Sequence, residues 1–186
     1  MTSSSTLVET SKFLSFILRH QPEAMGLTLD SEGWVDVDTL LVAANRAGNA
    51  LTCDLLVEVV ATSDKKRFTL SADGRAIRAA QGHSTTSVTM KHVEKVPPAT
   101  LYHGTATRFL DSILENGLLP QARHHVHLSQ DSETAAKVGA RHGKLVILEV
   151  AAGTMQAQGH RFFQADNGVW LAAAVPPEFL RRTAIS

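Results

Sequence analysis

TCDLLVEVVATSDKKRFTLSADGRAIRA, residues 52–79, is the stretch whose reading decides the fold of the first half of the chain. Its apolar residues recur at helical spacing from about Thr52 to Val60. Arg67-Phe68-Thr69-Leu70 and Ala76-Ile77-Arg78-Ala79 then flank Asp73-Gly74, which reads as a turn between two short strands. Upstream, Thr6 and Glu9 have capping-box spacing, Leu14, Ile17 and Leu18 recur on one helical face, and Pro22 stops that helix with Arg19 and His20 in its last turn. Leu27-Thr28-Leu29 and Trp34-Val35-Asp36-Val37 read as short strands about a Ser31-Glu32-Gly33 turn. Asp38 is expected to open a second helix that ends before Gly48. Helices followed by a hairpin outline a winged helix.

Between Ser84 and Pro98 the texture changes to Ser84-Thr85-Thr86-Ser87, two lysines and Pro97-Pro98, and a domain boundary is expected there. The division predicted is residues 1–90 and 91–186. Beyond it, strands are expected at Leu101-Tyr102-His103, Val126-His127-Leu128, Leu145 to Val150 and Val169 to Val175. Helices at about Arg108 to Asn116 and Ser132 to Val138 separate them, so the chain reads as α+β.

Lys+Arg and Asp+Glu number 18 each, so net charge gives no argument for a nucleic-acid partner, and contacts to one must come from local patches. Cys53 is the single cysteine, which excludes an internal disulfide and favours an intracellular setting. Met1-Thr2-Ser3-Ser4-Ser5-Thr6 lacks the basic start and apolar core of a signal peptide, and the apolar run around Leu145 to Ala152 is far short of the ~20 residues a spanning helix needs. A soluble, cytoplasmic monomer is expected.

The local charge is concentrated in Arg19-His20, Lys65-Lys66-Arg67, Arg123-His124-His125 and Arg141-His142. Arginine brings permanent planar donors and histidine a proton that moves near neutral pH, a combination suited to phosphate. Each cluster has a plainer reading. Cations at a helix C-terminus complement the macrodipole, Arg67 fits a solvated hairpin edge, and Gly139-Ala140-Arg141-His142-Gly143 fits a glycine-bounded loop. His103-Gly104-Thr105 closes a strand before a helix, where glycine permits close backbone approach. Gly117 of Asn116-Gly117-Leu118 reads as a left-handed helix cap. In a strand, Arg123, His125, His127 and Ser129 would share one face. The His-x-His spacing raises a metal site, but no carboxylate ligand accompanies it and none is expected. Trp34 and Trp170 read as core aromatics.

In this order the segments LSFILRH (14–20), GLTLDSEGWVDV (26–37), Lys66-Arg67-Phe68, IRAAQGHS (77–84), LYHGT (101–105), Asn116-Gly117-Leu118, RHHVHLS (123–129), VGARHG (138–143) and GVWL (168–171) resemble the RNA 2′-phosphotransferase family. These enzymes remove the splice-junction 2′-phosphate from tRNA using NAD. The resemblance implies a winged-helix-like N-terminal lobe that binds RNA and phosphate, and a C-terminal lobe related to ADP-ribosyltransferases that binds NAD. It maps an essential Arg-His-Arg-Arg group onto Arg19, His20, Arg67 and Arg123, converging on one phosphate across the interlobe cleft. It implies NAD contacts from His103, Gly104, Thr105, His127 and Ser129, with Gly139 and Arg141 near the adenosine or pyrophosphate, and no metal. The catalytic glutamate of many ADP-ribosyltransferases is replaced by an apolar residue near Val169, a departure from their protein-modifying mechanism.

The reaction so implied has two steps. The RNA 2′-phosphate displaces nicotinamide from the ribose. The adjacent ribose hydroxyl then attacks phosphorus, releasing 2′-hydroxyl RNA and ADP-ribose 1″,2″-cyclic phosphate. Two rivals share parts of the reading: an ADP-ribosyltransferase acting on terminal nucleic-acid phosphates or protein, which stops after the first step, and a winged-helix nucleic-acid-binding regulator, which turns over no NAD.

Overall fold

A computed structural model describes residues 3–63 and 65–183; Met1 and Thr2, part of the N-terminal reading above, lie outside them. The chain divides into two compact units, Met1–Lys91 and His92–Ser186. Each has its own core, and both combine helices with small antiparallel sheets, an α+β arrangement.

In the first unit, helix α1 (Ser4–Arg19) begins at a cap three residues before the predicted one. Ser3 Oγ accepts the Thr6 N–H at 3.1 Å, while Glu9 is held instead by Ser5 Oγ at 3.1 Å. The predicted 27–29 strand does not form. Leu27 and Leu29 are buried, but the backbone bonds that follow close locally on Asp30: its Oδ1 accepts the N–H groups of Glu32 and Trp34, and its N–H donates to Trp34 O. Only β1 (Val35–Asp36) is strand. Helix α2 (Val37–Arg46) is capped by Asp36, not Asp38, through a 2.8 Å bond from the Thr39 N–H to Asp36 Oδ1. Thr52 caps α3 (Cys53–Ala61). Strands β2 (Phe68–Leu70) and β3 (Ala76–Ala79) form the expected hairpin, and β3 lies between β1 and β2. Leu14, Leu18, Leu40, Leu56, Phe68 and Ile77 meet in the core beneath. Trp34 is only half-buried: the Arg78 guanidinium lies over its ring at 4.6 Å, so it serves as a stacking surface rather than core.

The second unit contains β4 (Val93–Glu94), β5 (Leu101–Ala106), α4 (Thr107–Asn116), β6 (Val126–Leu128), α5 (Ser132–Gly139), β7 (Leu145–Val150), α6 (Ala152–Ala157), β8 (Phe162–Gln164), β9 (Trp170–Ala172) and β10 (Leu180–Arg182). They make two sheets, ordered β10-β7-β5 and β4-β8-β9-β6, antiparallel throughout. Tyr102 and Ser129 exchange both backbone bonds at 2.8 Å, joining β5 to the end of β6. Phe162, Trp170, Leu128, Leu101 and Leu148 fill the core, as expected for Trp170. Gly117 has φ 78 but ψ −174, and a Cβ there would lie 2.2 Å from Val175 O. Its glycine therefore admits a passing backbone as well as ending α4. No described helix is long and apolar enough to cross a membrane.

Candidate active site

Arg19 is the last residue of α1 and His20 its C-cap, where positive charge complements the exposed carbonyls. The His20 N–H donates to Phe16 O at 3.0 Å, and its ring tilts against Phe16. Its Nδ1 lies 2.9 Å from Ser84 Oγ, and the Ser84 N–H donates to Arg19 O at 2.9 Å. Arg67 directly precedes β2. Its N–H donates to Ser63 Oγ at 3.3 Å and its carbonyl accepts the Ala80 N–H at 2.9 Å. Lys66 before it has φ 41, a left-handed conformation uncommon outside glycine, which turns the chain sharply into the strand. The backbone of one segment, 80–84, thus touches both Arg67 and the Arg19-His20 helix end.

In the second unit His103, Arg123 and His127 form a hydrogen-bonded set. His103 Nδ1 is 3.1 Å from His127 O, and a carbonyl only accepts, so Nδ1 carries the proton. Burial lowers the pKa of His103. The bond to His127 O opposes that, and the charges of His142 and Arg123 add to the lowering. The ring is therefore held neutral, with Nε2 as its acceptor. Arg123 Nη1 is 3.0 Å from His127 Nδ1, and a guanidinium only donates, so the neutral His127 carries its proton on Nε2. Arg123 is exposed, and partial desolvation lowers its pKa without removing a charge that arginine always keeps.

The expected alternation of Arg123, His125, His127 and Ser129 along one strand face does not hold, because strand geometry covers only Val126–Leu128. Arg123 sits in the preceding turn, its N–H donating to Pro120 O at 3.1 Å, and folds back onto His127. His125 packs edge-on against His92 at 5.8 Å and tilted against Phe163 at 6.0 Å.

Gly104 and Gly139 face each other where α5 crosses β5. A Cβ on Gly104 would lie 1.8 Å from Ala135 O, and one on Gly139 2.7 Å from Gly104 C and 2.8 Å from Thr105 N. Both glycines are required by this backbone-to-backbone approach, and Thr105 is buried beside it. Arg141 follows in an exposed 3-10 turn, Ala140–His142. Val169 directly precedes β9, its N–H donating to Asn167 Oδ1 at 3.3 Å. Ser84 is a neighbour of His20 that single-residue reading passed over. Ser84 lay within a quoted motif, but its contact with His20 spans 64 positions and has no local signal.

The features that carry this geometry lie in both units, and so do the likenesses to known proteins. A family model described as RNA 2′-phosphotransferase, Tpt1 / KptA family, matches residues 5–174. An RNA 2′-phosphotransferase of Escherichia coli is 60% identical over 174 residues, 94% of this chain and 95% of that protein. A probable RNA 2′-phosphotransferase of Pseudomonas aeruginosa is 60% identical over 176 residues, 95% of this chain and 97% of that protein. A match that runs through α1, the 66–84 hairpin, β5 and the 123–129 turn alike leaves one assignment: the chain belongs to the RNA 2′-phosphotransferase family.

Proposed function

We propose that the protein removes an internal 2′-phosphate from RNA, as at a tRNA-type splice junction, with NAD as co-substrate. The products are 2′-hydroxyl RNA, nicotinamide and ADP-ribose 1″,2″-cyclic phosphate. The observation that carries this reading is the family match from residue 5 to residue 174, which includes every side chain assigned below. Residues 1–90 act as the winged-helix-like lobe that binds RNA and phosphate. Residues 91–186 act as the ADP-ribosyltransferase-like lobe that binds NAD.

The donor set of the second unit suits a dinucleotide. His103, committed through Nδ1 to His127 O, has Nε2 as an acceptor for a ribose hydroxyl, while His127 carries a donor N–H. Gly104, Thr105, Ser129, Gly139 and Arg141 complete the proposed NAD contacts. When bound, NAD supplies an electrophilic ribose carbon with a neutral leaving group, and a neighbouring hydroxyl that later receives the phosphate. Arg123, braced by His127, holds the 2′-phosphate in line for its attack. Arg19, Arg67 and Arg123 then stabilise the charge that spreads over the phosphoryl oxygens, with no solvent to reorganise. His20 donates a hydrogen bond or a proton to the departing RNA oxygen.

Incubating the protein with NAD and an oligonucleotide bearing one internal 2′-phosphate tests the reading. The expected products are the three named. ADP-ribosylated RNA without cyclic phosphate would instead identify a transferase that stops after one step, and no NAD consumption would defeat both. His20→Ala and Arg67→Ala should slow the second step more than the first, so ADP-ribosylated RNA should accumulate on a quenched-flow time course. Equal slowing of both steps counts against this division of roles.

A further inference from the structure

We propose that Ser84 is the positioning residue for His20, and that the segment 80–84 registers His20 and Arg19 against Arg67. The functional part of this inference rests on the role given to His20 above.

His20 lies beyond the last turn of α1 and is exposed. An exposed imidazole at a chain reversal has several staggered rotamers open to it, and ordering it costs conformational entropy. Ser84 Oγ, 2.9 Å from Nδ1, restricts that freedom by fixing which way the ring's nitrogens point. The same residue ties down the helix end by donating its N–H to Arg19 O at 2.9 Å. Four residues earlier, the Ala80 N–H donates to Arg67 O at 2.9 Å. One short run of backbone therefore fixes the spacing of the three groups assigned to phosphoryl transfer in this unit.

The run is itself anchored in the core. Ala79, Ala80, His83 and Val88 are buried, so Ser84 hangs between core anchors on either side. His83 leaves little slack, since a Cβ on Gly33 would lie 2.9 Å from its Nε2. A loop pinned in this way can set the direction of a neighbouring ring, as the support of a functional side chain must.

The choice of a hydroxyl follows from the chemistry. A group that exchanges a proton needs an orienting partner in both of its charge states. A serine hydroxyl donates to Nδ1 of the neutral Nε2–H tautomer and accepts from Nδ1–H of the imidazolium or of the neutral ring left when Nε2 gives up its proton, so the contact survives in every state. A carboxylate would favour only the charged ring, and a carbonyl only a protonated Nδ1.

The test uses the full-length protein and two variants. Ser84→Ala should lower kcat with the 2′-phosphorylated oligonucleotide on the order of tenfold to a hundredfold, the loss typical of a misplaced catalytic group. KM for NAD should not change, and Ser84→Thr, which keeps the hydroxyl, should restore most of the rate. Full activity in Ser84→Ala, a loss confined to KM for NAD, or no rescue by threonine would overturn the proposal. A second measurement needs no turnover: long-range proton–nitrogen NMR of the ring, with His20→Gln identifying its signals. Ser84→Ala should shift both nitrogen resonances of His20, and unchanged resonances would overturn the proposal even if the rate falls. A wild-type protein that consumes no NAD would defeat the proposed function alone, and the NMR result would still decide Ser84.

Discussion

At the scale of the residue, His103 makes the clearest thermodynamic statement. Its folded pKa lies below the ordinary value of 6.5, chiefly through burial, and His125 is lowered in the same way, with His124 adding to the shift. A histidine with a depressed folded pKa binds fewer protons folded than unfolded, so stability rises with pH across the gap. The loss begins as pH falls through the unfolded value and is complete below the folded one. The thermal midpoint should therefore drop as pH falls below about 6.5, the unfolded value, and His103→Gln should flatten the drop while His125 leaves a residue of it. Glutamine can still donate to His127 O, which separates titration from packing. A His103→Gln protein with the wild-type pH slope would show that this ring is not held neutral.

At the scale of the element, the crossing of α5 over β5 sets the tightest constraint on the second unit. Gly104→Ala would drive a methyl group into Ala135 O, a backbone atom that cannot swing aside. The cost should reach or exceed the upper end of the ~1–3 kcal/mol typical of overpacking. Denaturant unfolding measures it, and a variant within ~0.5 kcal/mol of wild type would mean the helix shifts freely. Sequence reading expects close backbone approach at this glycine, and one atom that approaches is the carbonyl oxygen of Ala135. The same boundary of legibility runs through the other elements. Leu14, Ile17 and Leu18 announce α1, and the 68–79 hairpin is visible from its turn, because those signals are local. Strand β10, three residues long, exists only through its partner β7, tens of residues away. Leu27 and Leu29 alternate like a strand and are buried like one, but the chain beyond them turns on Asp30. In the candidate site the residue types were legible, while the bonds of Arg123 to His127 and Ser84 to His20 depend on how the chain reverses.

At the scale of the whole molecule, Arg19, His20 and Arg67 belong to one compact unit and Arg123 to the other. The proposed function requires all four to serve one phosphate. A double-mutant cycle on Arg67→Ala and Arg123→Ala addresses that requirement without reference to coordinates. Each single change should lower kcat by on the order of 10²–10³, the usual cost of losing one fixed donor to transition-state charge. Neither should unfold the protein, since polar changes outside the core usually cost within ~0.5 kcal/mol. Read on the single-turnover rate of the phosphorus-attack step alone, where a change of rate-limiting step cannot mask a loss, groups that act independently lose independently, so the double variant would fall by the product of the two factors. Groups that stabilise the same developing charge act as a unit, and once one is gone the other has less left to stabilise. The double variant should therefore lose markedly less than the product. Strict multiplicativity of the two losses would place the arginines at different tasks, and the single shared phosphate would have to be abandoned.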